Sequence, residues 1–459
     1  MKHRSHKHAH IQRQRVVRQA QDCTADTFFN VLTSDELLAS VDESAGEYRE
    51  RLYPPAQTLA MFLAQALNAD RSCQFAVNQL VVQRTREGLS PCSTTTGAYC
   101  RARRRLSDTM IRGLINTTGA LASDRAAQVP AHGRAIKLID GTTVSMPDTH
   151  DNQAAFPQPR TQATGVGFPI ARLVAILCLH SGAVLNAGIG PYKGKDSSEH
   201  ALLRTLLSTF AAGDLAIADR YYGSYFLIAA LQERGVDILF GNTGQRHVDF
   251  RRGEKLGIKD HLVQWVKPPR PDWMSEEDYA ASPTSLTIRE VQAQGRILVT
   301  TLRCPKQMPR QSIGELYSAR WHIELDLRSI KTTLGMDVLS CQSAAMVRKE
   351  ILIYLLAYNL IRLLMTEAAY HTGVLARHVS FKHTVQLWLA WQTRDLIAFS
   401  SNAEQRAQLY QLIASRRVGN RPGRCEPRAV KRRAKTHALL TVPRATARAA
   451  IRPWQNAAA

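Results

Sequence analysis

The sequence is short of acid. Against 60 Lys and Arg it sets only 38 Asp and Glu, a formal net charge of +22. An imbalance of that size excludes an ordinary near-neutral surface and points to a polyanionic partner, nucleic acid first. Paired cysteines are also missing. The eight cysteines are scattered and none forms CxxC, which excludes a zinc ribbon and suits a reducing compartment. No apolar run reaches membrane length: the longest, residues 351–365, is too short to span a bilayer and contains Arg362. The first ten residues are basic and His-rich but lack the apolar stretch of a signal peptide. A cytoplasmic, nucleoid-associated protein with no membrane partner is therefore expected. Internal repeats are absent, and so are the aromatic patterns of an RNA-recognition module.

What is present is enough for a large fold. With 459 residues and a 44% apolar fraction, the chain has material for a substantial core and several domains. Residues 1–18 carry six Lys or Arg and no acid, as a basic arm would. From Asp26 to Leu121 the apolar spacing is helical. Within it, a turn-forming stretch (LSPCSTTTG) leads into a helix bearing Arg101, Arg103, Arg104 and Arg105, a candidate DNA contact. From Arg134 the texture changes. AIKLIDGTTVSMPD predicts two short strands around Asp140, and residues 171–190 predict a hairpin turning at Ser181-Gly182. Helix, strand, helix and strand follow to residue 241. Such alternation implies a mixed sheet covered by helices. Residues 242–303 lose that alternation and read as a β-rich insertion. The end is basic again, with nine Lys or Arg and one Glu in residues 416–437.

Three acids stand out. Asp140 and Asp219 each end an apolar, strand-like run, where sites in open sheets lie. Glu324 lies in Tyr317-x2-Arg320-x3-Glu324-x6-Lys331, spacings that return to one face of a single helix. A carboxylate among two cations and a phenol is unusual for a packing face and suits a phosphate held beside a metal ion. Mg²⁺ takes few carboxylates and keeps water and substrate oxygens elsewhere. Two such ions serve phosphodiester cleavage, with Mn²⁺ as a substitute. Each acid also has a bland reading: Asp140 as a turn former before Gly141, Asp219 paired with Arg220, and Glu324 paired with Arg320 or Arg328. Asp326 points off the Glu324 face, and Asp148 and Asp214 read as structural.

The Y-x2-R-x3-E-x6-K spacing resembles the signature of bacterial insertion-sequence DDE transposases of the insertion sequence 4 family. IDGTTVSMPDT, PQPRTQATGVGFPIARLVA, DRYYGSY, LLAYNLIR and RPGRCEPRAVKRRAK are similar to that family too. The resemblance runs from about Phe28 to Lys435. It implies an α/β, ribonuclease-H-like core with a β-strand insertion, preceded by a helical DNA-binding domain. The expected division is 1–130 helical, 131–241 core, 242–303 insertion, 304–375 core with the glutamate helix, and 376–459 helical with a basic tail. It further implies Asp140, Asp219 and Glu324 as the catalytic metal ligands. Tyr317, Arg320 and Lys331 would then grip a DNA phosphate, and a homodimer would bind terminal inverted repeats and target DNA. Some relatives carry a base-stacking tryptophan on the last insertion strand. Ile297 stands there in this chain, leaving Trp265 and Trp273 as candidates for that role or as packing residues. A nuclease without strand transfer and a DNA-binding regulator without chemistry are the competing readings.

Overall fold

A computed structural model describes residues 52–126, 133–194, 197–392, 403–418 and 440–456. The basic arm of residues 1–18 and most of the 416–437 run lie outside the described residues.

Four helices open the described chain: α1 (Pro55–Leu67), α2 (Cys73–Arg86), α3 (Gly97–Arg105) and α4 (Asp108–Ala126). Nine strands then form one sheet in the order β3-β2-β1-β4-β5-β9-β8-β7-β6. β1 (Ile136–Ser145), β2 (Ile170–Cys178) and β3 (Val184–Pro191) make an antiparallel meander. β4 (Leu215–Ala218) lies parallel to β1, and β5 (Asp237–Gly241) parallel to β4. β1 is one strand, not the two expected around Asp140. Gly141 and the Thr-rich stretch after it keep extended backbone because β2 pairs with them as far as Ser145.

Side chains alternate between two apolar layers with the period of two that strands impose. Ile136, Leu138, Leu215 and Ile217 face one core, with α1, α4 and the 29-residue helix α11 (Ala344–Thr372). Ile139, Ala216 and Ala218 face the other, with α6 (Glu199–Arg204) and α7 (Tyr225–Glu233). α5 (His150–Ala155) sits between β1 and β2 in the chain. Asn359 of α11 fastens the first layer: its amide donates to Ile115 O at 2.9 Å and Val184 O at 2.8 Å and accepts from Val184 N at 2.8 Å. α11 is long and apolar enough to cross a bilayer, but 94% of its apolar window is buried inside the protein. It ends at Gly373, whose φ of 68° supplies the left-handed cap that other residues disfavour.

The stretch expected as an insertion carries β6 (Glu254–Gly257), β7 (Asp260–Val266), the short helix α8 (Glu276–Ala281), β8 (Ser285–Ala293) and β9 (Arg296–Thr300). These strands do not form a separate sheet. β9 hydrogen-bonds to β5, so the core sheet continues without a break into the added strands. The chain then returns through α9 (Arg310–Ser318), α10 (Trp321–Arg328) and a π-helical turn at Ser329–Thr333. The single helix expected from Tyr317 to Lys331 is therefore broken at Ala319-Arg320 and widened near Lys331. Helices α12 (Phe381–Gln392), α13 (Ala403–Ser415) and α14 (Arg444–Asn456) complete the described chain.

Candidate active site

The parallel pairing of β1 and β4 sets the site. The paired register ends at Ile139 with Ala218, so the next residues, Asp140 and Asp219, come side by side. Asp140 Oδ1 accepts the Gly141 amide at 2.8 Å. Asp219 caps the short 3-10 turn of residues 220–222, its Oδ1 accepting Tyr221 N at 2.8 Å. Neither bland reading holds for this pair: Asp140 sits mid-strand, and Asp219 bonds backbone rather than Arg220. Burial, helped by the charges of Asp219 and Glu199, pushes the Asp140 carboxyl up to about 6, against the Gly141 amide and Arg320, which favour its charge.

The signature residues approach from the broken helix. Arg320 Nη2 meets Glu324 Oε1 at 2.7 Å, as the bland reading of Glu324 held. Arg320 also lies in the field of Asp140 and of Tyr317, so it stands between the glutamate and Asp140. Tyr317 is 7% exposed. Its hydroxyl stands so near Gly241 that a Cβ there would fall 2.9 Å away, which makes glycine the residue that fits at the end of β5. Burial raises the Tyr317 phenol above its ordinary range, so it stays a hydrogen-bond donor. Lys331 reaches β1 as well, its Nζ 3.2 Å from Thr142 Oγ1. Asp140 in the middle of β1, Asp219 just past β4, Tyr317 at the end of β5 and Lys331 on Thr142 thus share one region, and Arg320 brings Glu324 to it. Asp326 is 1% exposed and takes no part in that face: it pairs with Arg362, and with Arg377 at 2.6 Å. Asp214 pairs with Lys137 at 2.5 Å, a structural role as expected.

A cleft of about 2040 Å³ opens from Asp140, Glu199 and Asp219 toward the added strands. Two of the proposed DNA contacts need correction. Trp265 lines this cleft but is only 3% exposed. Its indole N–H donates to Glu290 at 2.8 Å and Arg246 covers its ring at 4.1 Å, so it is a packing residue. Arg103 is 7% exposed, with Nη2 on Cys73 Sγ at 2.9 Å and its guanidinium 4.7 Å above Phe62. It shares an inward helix face with Tyr99 and Ala102. Arg101, Arg104 and Arg105 remain exposed. Trp273 is 46% exposed at the cleft, with Arg204 3.8 Å from its ring. Sequence reasoning missed Glu199, whose carboxylate bonds the Tyr222 hydroxyl at 2.9 Å beside Asp140.

The donor set fits a hard divalent cation, because every candidate ligand is a carboxylate oxygen and two of them crowd together. Among the described residues no three His, Cys, Asp or Glu side chains stand together at metal-ligand spacing, and Glu324 is bonded to Arg320. A Mg²⁺ ion needs only one or two carboxylates, with water and substrate oxygens filling its other positions.

A meander of three strands joined to two parallel ones in the order β3-β2-β1-β4-β5, with one acid in the middle of β1 and another just past the end of β4, is the ribonuclease-H-like fold of enzymes acting on nucleic acid. Residues 131–360, half of the chain, match the family model of the transposase DDE domain, and the chain belongs to that family. It is 26% identical over 398 residues to "Transposase InsG for insertion sequence element IS4" of Escherichia coli, covering 84% of this chain and 87% of that protein. It is also 27% identical over 194 residues to "Putative transposase InsZ" of the same organism, covering 38% of this chain and 63% of that protein. The protein is accordingly a DDE-type DNA transposase, an enzyme of a divalent-metal-dependent class.

Proposed function

We propose that this transposase binds the terminal inverted repeats of its own element as a homodimer and moves that element by cut-and-paste cleavage and strand transfer. Asp140, Asp219 and Glu324 are the ligands of two Mg²⁺ ions in this reading, with Mn²⁺ as a substitute. Its main support is the β1–β4 register that sets Asp140 beside Asp219, with Arg320 joining Glu324 to the same corner.

A divalent ion bound there would relieve charge on the scissile phosphate and acidify the attacking oxygen. The chain's own groups do the rest. Arg320 and Lys331 bring fixed positive charge to the phosphate oxygens. Arg320 then exchanges its bond to Glu324 for one to phosphate, which frees the carboxylate to join the aspartates. Tyr317, held neutral by burial, donates its hydroxyl and props Arg320. Exposed Arg101, Arg104 and Arg105 take backbone phosphates, and Trp273 offers a ring on which an unpaired base can stack. In this reading the protein works in the cytoplasm, on the nucleoid.

Purified protein with Mg²⁺ should nick a duplex carrying the element's own ends. Asp219→Ala should abolish cleavage while the gel-shift affinity stays within about threefold, because one carboxylate contributes little to phosphate contact. Undiminished cutting by that variant would sink the ligand assignment.

A further inference from the structure

Glu199 enters the site from helix α6, on a segment with no part in the aspartate strands or the Tyr317–Lys331 signature. Its carboxylate lies on bare backbone. An ideal Cβ built on Gly141 would fall 2.3 Å from the Glu199 carboxyl carbon and 2.6 Å from each of its oxygens. Only glycine, next to Asp140 on β1, leaves that seat open. The second support is Tyr222, fully buried, whose hydroxyl donates to Glu199 Oε2 at 2.9 Å. Tyr222 belongs to the turn that Asp219 caps.

Two segments that carry the aspartates, β1 and the turn after β4, therefore also hold this glutamate in place. A half-buried acid set beside two others repels them unless positive charge or ordered water shares their field. No Lys or Arg bonds Glu199 among the described residues, and its Oε1 takes no hydrogen bond there. Both Asp140 and Asp219 line the same cleft as Glu199.

We propose that Glu199 is a fourth carboxylate of the divalent-ion site, its Oε1 accepting hydrogen bonds from water held by an ion on Asp140 and Asp219, with Tyr222 as the residue that positions it. The proposal rests on the reading of those two aspartates as ligands. Mg²⁺ sheds water reluctantly, so an acceptor aimed at retained water orients the ion's whole shell. Outer-shell acceptors of this kind typically change metal affinity by about 10- to 100-fold when removed. Gly141 becomes a functional glycine on this account, since any side chain there would evict the carboxylate.

The test uses the full-length chain and Mn²⁺ alone, with free Mn²⁺ followed by its electron paramagnetic resonance signal and folding checked by thermal melting. Glu199→Gln should weaken Mn²⁺ binding about tenfold or more, and Tyr222→Phe should weaken it in the same direction by less. Asp219→Ala is the reference and should bind no Mn²⁺. If Asp219→Ala loses the ion while Glu199→Gln melts normally and binds within about twofold of the unaltered protein, the role of Glu199 is overturned and the aspartate reading survives. If Asp219→Ala binds as tightly as the unaltered protein, the aspartate reading falls and Glu199 falls with it. Should Glu199→Gln fail to fold, Tyr222→Phe decides alone, and unchanged affinity there overturns the proposal.

Discussion

Asp140 shows at single-residue scale how an acid crowded by other acids works against stability. Its carboxyl is raised to about 6 from an ordinary value of 3.8. The native state therefore holds the proton at a pH where the unfolded chain has released it. Stability from this group is greatest below the unfolded value, declines as pH rises from about 4 to 6, and is gone above that. Two pKa units correspond to about 3 kcal/mol at most, an upper bound for a partly exposed side chain. Asp140→Asn mimics the protonated form permanently. In chelator, its unfolding free energy from urea titration should exceed that of the unaltered protein at pH 8, by about 1–3 kcal/mol, and match it at pH 4. Equal free energies at both pH values would mean that the acid corner is not strained.

Legibility at this scale was uneven. Asp140 and Asp219 could be found because each interrupts a run of apolar residues with strand period, and a lone acid in that position has no packing reason to be there. Arg103 was misread as surface although Tyr99 and Ala102 share its helix face, a signal visible in the spacing. Glu199 left no such mark. In DSSEH an acid after Ser198 looks like an ordinary helix start, and Ser198 does cap Ala201 N at 3.1 Å. Its chemistry appears only when β1 and the turn after β4 close around it.

At the scale of elements, the break between α9 and α10 was the least legible feature. Ala319-Arg320 contains neither Gly nor Pro, so no helix breaker in the local sequence marks the turn. Beyond the break, α10 is tied to the rest of the fold through Asp326, two residues past Glu324. Arg362 of α11 and Arg377 take its two oxygens, and Arg377 also holds Cys178 O at 3.1 Å in the β2–β3 turn. The helix bearing Glu324 is thus anchored to the opposite end of the sheet through one buried acid. Asp326→Ala leaves buried Arg362 and half-buried Arg377 without their counter-ion, and should lower stability by about 3–5 kcal/mol. Urea denaturation with an unchanged slope checks this. The strand order, by contrast, was within reach, because short β-hairpin and strand–helix–strand spacings leave few alternatives.

At the scale of the whole molecule, a net charge of +22 makes binding to a polyanion depend on salt. Affinity for duplex DNA should fall linearly on a logarithmic plot against salt. Removing Arg101, Arg104 and Arg105 together should flatten that slope by about 2–3, whereas Arg103→Ala should lower the melting temperature and leave the slope alone. A filter-binding titration from low to moderate salt distinguishes the two outcomes. A slope unaffected by the triple change would move the DNA contact away from α3.

The continuity of the sheet sets an order of events as the chain leaves the ribosome. β5 emerges with residue 241, yet the strand that seals its free edge, β9, ends at residue 300. For the intervening span the growing polypeptide displays an open row of amides and carbonyls, the pattern that invites pairing with a neighbouring chain. A nascent fragment stopped at residue 295 keeps that row uncovered and should aggregate, while one carried a few residues past β9 should show markedly less self-association.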